Sequence, residues 1–182
     1  MVTFISSFVF AGVLSAYIFL GRGLMRQSNA ESLESRSRLA LYYFTLDVST
    51  ASSITAVNPG TQVTGTQMIL VAAGSGTVTY SCDWSQGASK GTLQRQVGSN
   101  TPLVLLTNLT GITFSYFDMG GSTVTVPSTT PSYSQLNIKQ VMLSFTSSAG
   151  YAASGAQSNL TVVSPRVIMK NKPLIEDPND TN

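Results

Sequence analysis

An uncharged run at the N-terminus constrains this chain more than any other feature. Residues 1–21 (MVTFISSFVFAGVLSAYIFLG) contain no Asp, Glu, Lys or Arg, and residues 22–52 contain no proline and a single glycine, Gly23. Roughly 20 apolar residues in a helix, at ~1.5 Å each, cross a hydrocarbon core of about 30 Å. The pattern predicts a transmembrane helix over 1–21, continuing as an amphipathic helix over 22–55. Unbroken from Val2 to Ser52, it would be on the order of 75 Å long. After Asn58-Pro59-Gly60 the composition turns to Thr, Ser, Gly and Val. A β-rich head is expected over 56–171 and a polar tail over 172–182.

A cleaved secretory signal has a basic start, a shorter apolar core and small residues at the cleavage site. Nothing basic precedes this core, and it ends in Ile18-Phe19-Leu20, so the run is expected to stay as an anchor. The nearest charges, Arg22 and Arg26, follow the span. Taken alone, the positive-inside rule would put the head on the cytoplasmic side.

Beyond the span, Leu33, Ala40, Leu41, Phe44 and Val48 are spaced by seven, one, three and four residues, an apolar stripe on one helix face. These five are the expected contacts between helix and head. Arg22, Arg26, Glu31, Glu34, Arg36 and Arg38 cover the remaining surface. Glu34 stands four residues before Arg38, a pair worth ~0.2–0.5 kcal/mol on an exposed face.

The head carries strand patterns over 61–73, 76–83, 92–97, 103–109, 112–118, 123–126, 138–146 and 160–169. Val78, Tyr80 and Cys82 alternate with Thr77, Thr79 and Ser81, as do Ile112, Phe114 and Tyr116 with their neighbours. Asp118-Met119-Gly120-Gly121 is a turn signal, residues 127–134 form a Pro/Ser/Thr loop, and 147–158 are a small-residue loop.

The chemical inventory is sparse. With 182 residues there is room for one domain and an anchor, and a net charge of +2 gives no reason to expect a nucleic-acid partner. There is no histidine, which removes His-based nucleophile systems and His-ligated metals. Cys82, the only cysteine, reads as a small core residue, and Trp84 as a packing anchor. Glu31 and Glu34 read as solvated surface. Asp118 offers one carboxylate, too few for a calcium loop, so a bare turn is the better reading. Glu176, Asp177 and Asp180 are a weak cation-binding set in the tail. No catalytic residue, metal or cofactor is expected, and the chain is not expected to be an enzyme.

Three stretches carry a family resemblance. The first is residues 8–20, containing Ala11-Gly12-Val13-Leu14. The second is Arg36-Ser37-Arg38-Leu39-Ala40-Leu41, followed by Asp47 and Ala51. The third is VVSPRVIMKN, ending at Asn171. In this order they resemble the assembly helix, second helical half and closing strand of type IV pilin-like proteins. The likeness is nearest to the J-type minor pseudopilins of type II secretion and the W-type minor pilins. The resemblance implies an α+β fold, a long N-terminal helix packed on an antiparallel β-sheet head. It also implies a filament subunit that packs through Phe4, Phe8, Ala11, Gly12, Ser15, Ala16 and Phe19 and helps initiate or cap the filament. Its partners would be other pilin or pseudopilin subunits, the inner-membrane assembly machinery and membrane lipid. Its location would be a single pass through the inner membrane, with the head in the periplasm or on an extracellular filament. The alternative is a single-pass anchored β-rich binding domain outside any filament.

The family's leader and its processing-site glycine, phenylalanine and glutamate are not in this sequence, and no acidic residue precedes Glu31. Met1-Val2-Thr3 resembles the residues just after that glutamate. The resemblance leaves two alternatives: these elements lie upstream of Met1, with basic residues that would fix the cytoplasmic end, or Met1 is the true start and processing and N-methylation have no substrate site here. No residue here takes the glutamate's role.

Overall fold

The computed structural model describes residues 2–58, 67–72, 76–87, 90–124, 137–149 and 158–172. One helix, α1 (Val2–Thr50), leads into an antiparallel sheet. The strands are β1 (Ala51–Asn58), β2 (Gln67–Ala72), β3 (Thr77–Asp83), β4 (Gly91–Val97), β5 (Leu103–Phe117), β6 (Gln140–Ala149), β7 (Ser158–Val163) and β8 (Val167–Ile168). β1 to β7 follow one another across the sheet in chain order, and β8 pairs with the start of β6. The fold is α+β, a curled meander with the second half of α1 on one face.

The helix ends earlier than the sequence pattern predicts. Ala51 already pairs with Ala72 as the first residue of β1, so residues 51–55 are strand. Ser49 and Thr50 both turn their hydroxyls back onto the Leu46 carbonyl at 2.9 Å. Such bonds compete with helix propagation. The last carbonyls are capped from the far end of the chain. Lys170 N donates to Ser49 O at 3.1 Å and Asn171 Nδ2 to Thr50 O at 3.0 Å. Backbone acceptors at a helix end need such partners.

The predicted strands over 103–109 and 112–118 are one continuous strand. Its pattern breaks near Thr110-Gly111 because β5 changes partners there. Residues 103–109 pair with β4 and residues 109–117 with β6, with register shifts on both sides. The predicted strand over 160–169 is instead two. Pro165 has no N–H to give a ladder. At the break Ser164 Oγ takes the place of a ladder carbonyl, accepting from Leu143 N at 2.8 Å, while Ser164 N donates to Leu143 O at 2.8 Å. Thr123 forms an isolated bridge to Phe117. Pro59-Gly60, residues 61–66, Gly74-Ser75, Thr125-Val126, the 127–134 loop, most of the 147–158 loop, and Glu176, Asp177 and Asp180 lie outside the described residues.

The Asp118 turn forms. Gly121 N donates to Asp118 O at 3.3 Å and Ser122 N to Asp118 Oδ1 at 2.7 Å. Gly121 has φ +85°, open to glycine at no steric cost. Its carbonyl accepts from Arg166, whose guanidinium lies 3.9 Å over the Phe117 ring.

One core joins helix and sheet. Ala40, Phe44 and Val48 are buried in it and Leu41 is half-buried against it, while Leu33 is buried outside this cluster. Phe44 meets Tyr80 edge-on at 5.9 Å and stacks on Phe114 at 6.3 Å. Cys82 and Trp84 are buried in this core. Burial, and secondarily the Asp83 charge, push the Cys82 thiol up to about 12. Only the thiolate reacts readily. Native protein at neutral pH should therefore resist maleimide at least ~100-fold longer than urea-unfolded protein; equal rates would contradict this burial.

The Trp84 ring lies directly over the Gly91 backbone. A Cβ at Gly91 would sit 2.5 Å from the ring. Gly91→Ala should displace the indole and cost ~1–3 kcal/mol, as overpacking does. A urea transition followed by Trp84 fluorescence reads the loss, and an unchanged midpoint would refute it.

Candidate functional site: a protruding apolar helix locked to the head

Between residues 8 and 32 no side chain of α1 is buried; Leu33 is the first. That stretch projects about 37 Å beyond its first contact with the head, at ~1.5 Å per residue. Its exposure is extreme for large apolar side chains: Phe8 is 80% exposed, Tyr17 76% and Phe19 77%. A soluble domain rarely leaves so continuous an apolar surface uncovered. Among the described residues this is the one helix long and apolar enough to cross a membrane, and none of its apolar window is buried.

Phe8, Ala11, Gly12, Ser15, Ala16 and Phe19 fall at helical spacings of three and four, so they share one face. All six are exposed. A Cβ placed on Gly12 meets nothing within 4 Å. The face has bulky rings at its ends and small residues between, a shape that admits a second helix at close range. Phe4 begins the same stripe on α1, and its side chain lies outside those described.

Further along α1, a charged residue sits on the buried face. Asp47 is three residues after Phe44, 7% exposed, and points into the sheet. Arg95 on β4 grips it with both ends of its guanidinium, Nε to Oδ2 at 2.6 Å and Nη2 to Oδ1 at 2.8 Å. Tyr80 on β3 donates its hydroxyl to Oδ2 at 2.5 Å. The Arg95 guanidinium also lies 4.9 Å from the centre of the Tyr43 ring, one helical turn before Asp47. Burial first, then the Asp47 charge, hold the Tyr80 phenol well above its usual range, so it remains a donor.

The chain matches no known protein-family model and no curated protein. Its own geometry has to carry the functional reading.

That geometry has two parts with opposite chemistry. The outer half of α1 is an apolar rod with no part of its apolar window buried among the described residues. The inner half is fixed to the head by the Phe44 core and by the Asp47–Arg95–Tyr80 cluster. Two charges taken largely out of water hold an orientation because shifting either one strands the other. The sequence stripe found the apolar contacts but not Arg95, Tyr80 or the buried Ser37. Asp47 itself was the legible signal. It lies seven residues after Ala40, on a face that should carry no charge.

Glu34 and Arg38 do pair, at 2.6 Å, on the exposed side of α1. Glu31 accepts from Gln27 at 3.2 Å, also on the surface.

Proposed function

We propose that this chain is a minor pilin- or pseudopilin-like subunit of a type IV pilus-like or type II secretion filament. It packs through the face formed by Phe8, Ala11, Gly12, Ser15, Ala16 and Phe19 and helps to initiate or cap the filament. The observation that supports it most is continuity. A single helix runs from an uncovered membrane-length apolar half straight into the core of the head, with no linker between. A flexible tether would suffice to anchor a binding domain. A rigid rod instead transmits the position of the head to whatever packs around the helix.

In this reading the outer half of α1 lies in the inner membrane before assembly, with the head in the periplasm. It then leaves lipid for a bundle of like helices. Van der Waals packing of small residues drives association where both environments are apolar. The role is physical: the subunit performs no reaction and uses no cofactor or metal, and its partners are other subunits and the membrane assembly machinery.

The test is extraction from native membranes in mild detergent. A filament subunit should come out as a polymer or a defined complex with similar subunits. A monomer at every detergent concentration would favour the anchored binding domain.

A further inference from the structure

Where α1 meets the head, the helix and the bulged part of β5 enclose a crevice of about 190 Å³. Ser32 and Arg36 line it from the helix, Thr107 and Asn108 from β5, and Ser148 from β6. We infer that this crevice binds a small soluble oxyanion of the phosphate or sulfate class, held by the Arg36 guanidinium and the surrounding hydroxyl and amide groups.

Charge is the first support. Arg38 has Glu34 as its carboxylate, and Arg95 has Asp47. Arg36 instead donates Nη1 to a neutral acceptor, Thr107 Oγ1, at 3.2 Å. None of the described lining residues is acidic. A guanidinium with one edge committed to a hydroxyl keeps further N–H groups for a second acceptor, and oxyanions match that fork.

The wall of the crevice supplies the second. Asn108 has φ +55°, the left-handed region that non-glycine residues rarely occupy. Register shifts flank it on both sides, where Gly91/Leu93 face Leu109/Leu106 and where Leu109/Gly111 face β6. Bulges of this kind re-aim side chains and cluster beside functional sites. Ser147 pins the distorted wall by donating Oγ to Thr107 O at 2.8 Å.

Position argues for a soluble ion over a lipid headgroup. Arg36 lies about 15 residues beyond Gly21, the end of the uncharged run, or roughly 22 Å along the helix. A span seated with that run in the hydrocarbon holds Arg36 above the headgroup phosphates. The inference does not depend on filament assembly.

The experiment uses the full chain in a neutral detergent, titrated with inorganic phosphate to tens of millimolar at constant ionic strength. Saturable amide shifts confined to Thr107, Asn108, Ser148 and the Arg36 turn are expected, with a dissociation constant of about millimolar order. The thermal midpoint should rise with phosphate, since a ligand of the folded state stabilises it. Arg36→Gln should weaken binding roughly tenfold or more, Arg36→Lys less, and Arg38→Gln not at all. Arg36 is exposed, so these variants should keep the native Trp84 fluorescence. Shifts that never saturate, or that persist unchanged in Arg36→Gln, would overturn the site. A parallel arm without phosphate compares nanodiscs of phosphatidylglycerol and phosphatidylcholine. No difference at these residues is expected. A response to the anionic discs with none to phosphate would replace the soluble ion with a lipid headgroup.

Discussion

Asp47→Ala should lower the stability of the head by ~3–5 kcal/mol, the range for breaking a buried ion pair by removing one partner. The loss comes less from the missing attraction than from what remains. Arg95, only 17% exposed, would keep a charge with no counter-ion, and the Tyr80 hydroxyl would lose its acceptor. For a domain of this size the thermal midpoint should fall by roughly 10–20 °C. A second variant separates this account from generic core damage. Asp47→Leu combined with Arg95→Met and Tyr80→Phe removes both charges and the hydroxyl and leaves apolar volume, so it should recover most of the loss. If Asp47→Ala costs under ~1 kcal/mol, or the triple variant is worse than the single, the cluster is not what fixes the helix.

Gly12→Phe should do the opposite, leaving the head untouched while abolishing association of the helix. Nothing within 4 Å of a Cβ at Gly12 opposes the new ring inside one chain, and added apolar surface favours membrane insertion. Between two helices the same ring holds the backbones apart at the point where Ala11, Ser15 and Ala16 would let them close. A complete loss of complexes in detergent, with unchanged membrane fractionation and Trp84 fluorescence, is the expected result. Equal loss of insertion and assembly would mean the position matters only for the membrane.

These two variants also mark what the sequence made legible. The apolar run and the stripe from Leu33 to Val48 could be read directly, because helical spacing and hydrophobicity are local properties. Strand existence was legible for the same reason at Val78, Tyr80 and Cys82. Boundaries were less so. The helix stops at Thr50 because Asn171, 121 residues later in the chain, caps it. β5 is continuous because two different strands hold its two halves. The Asp47 cluster was legible only as an anomaly. A charge on a buried face requires a partner, but nothing local picks out Arg95, 48 residues away, over any other cation. Long-range pairing decides each of these points, and no periodicity encodes it.

The central claim is that the outer half of α1 packs against other subunits, and site-directed cross-linking in native membranes tests it most directly. A thiol inside the hydrocarbon stays protonated and reacts poorly with maleimide, so a photoactivatable benzophenone residue replaces Phe19, whose ring is 77% exposed at the end of the face. On irradiation in native membranes it should yield covalent complexes with copies of this chain or with subunits carrying a similar helix. The same residue at Ser85, an exposed position on the head, serves as the control. Complexes specific to position 19 are the predicted result. Only uncross-linked monomer, or the same pattern from both positions, would contradict the account and leave a plain membrane anchor.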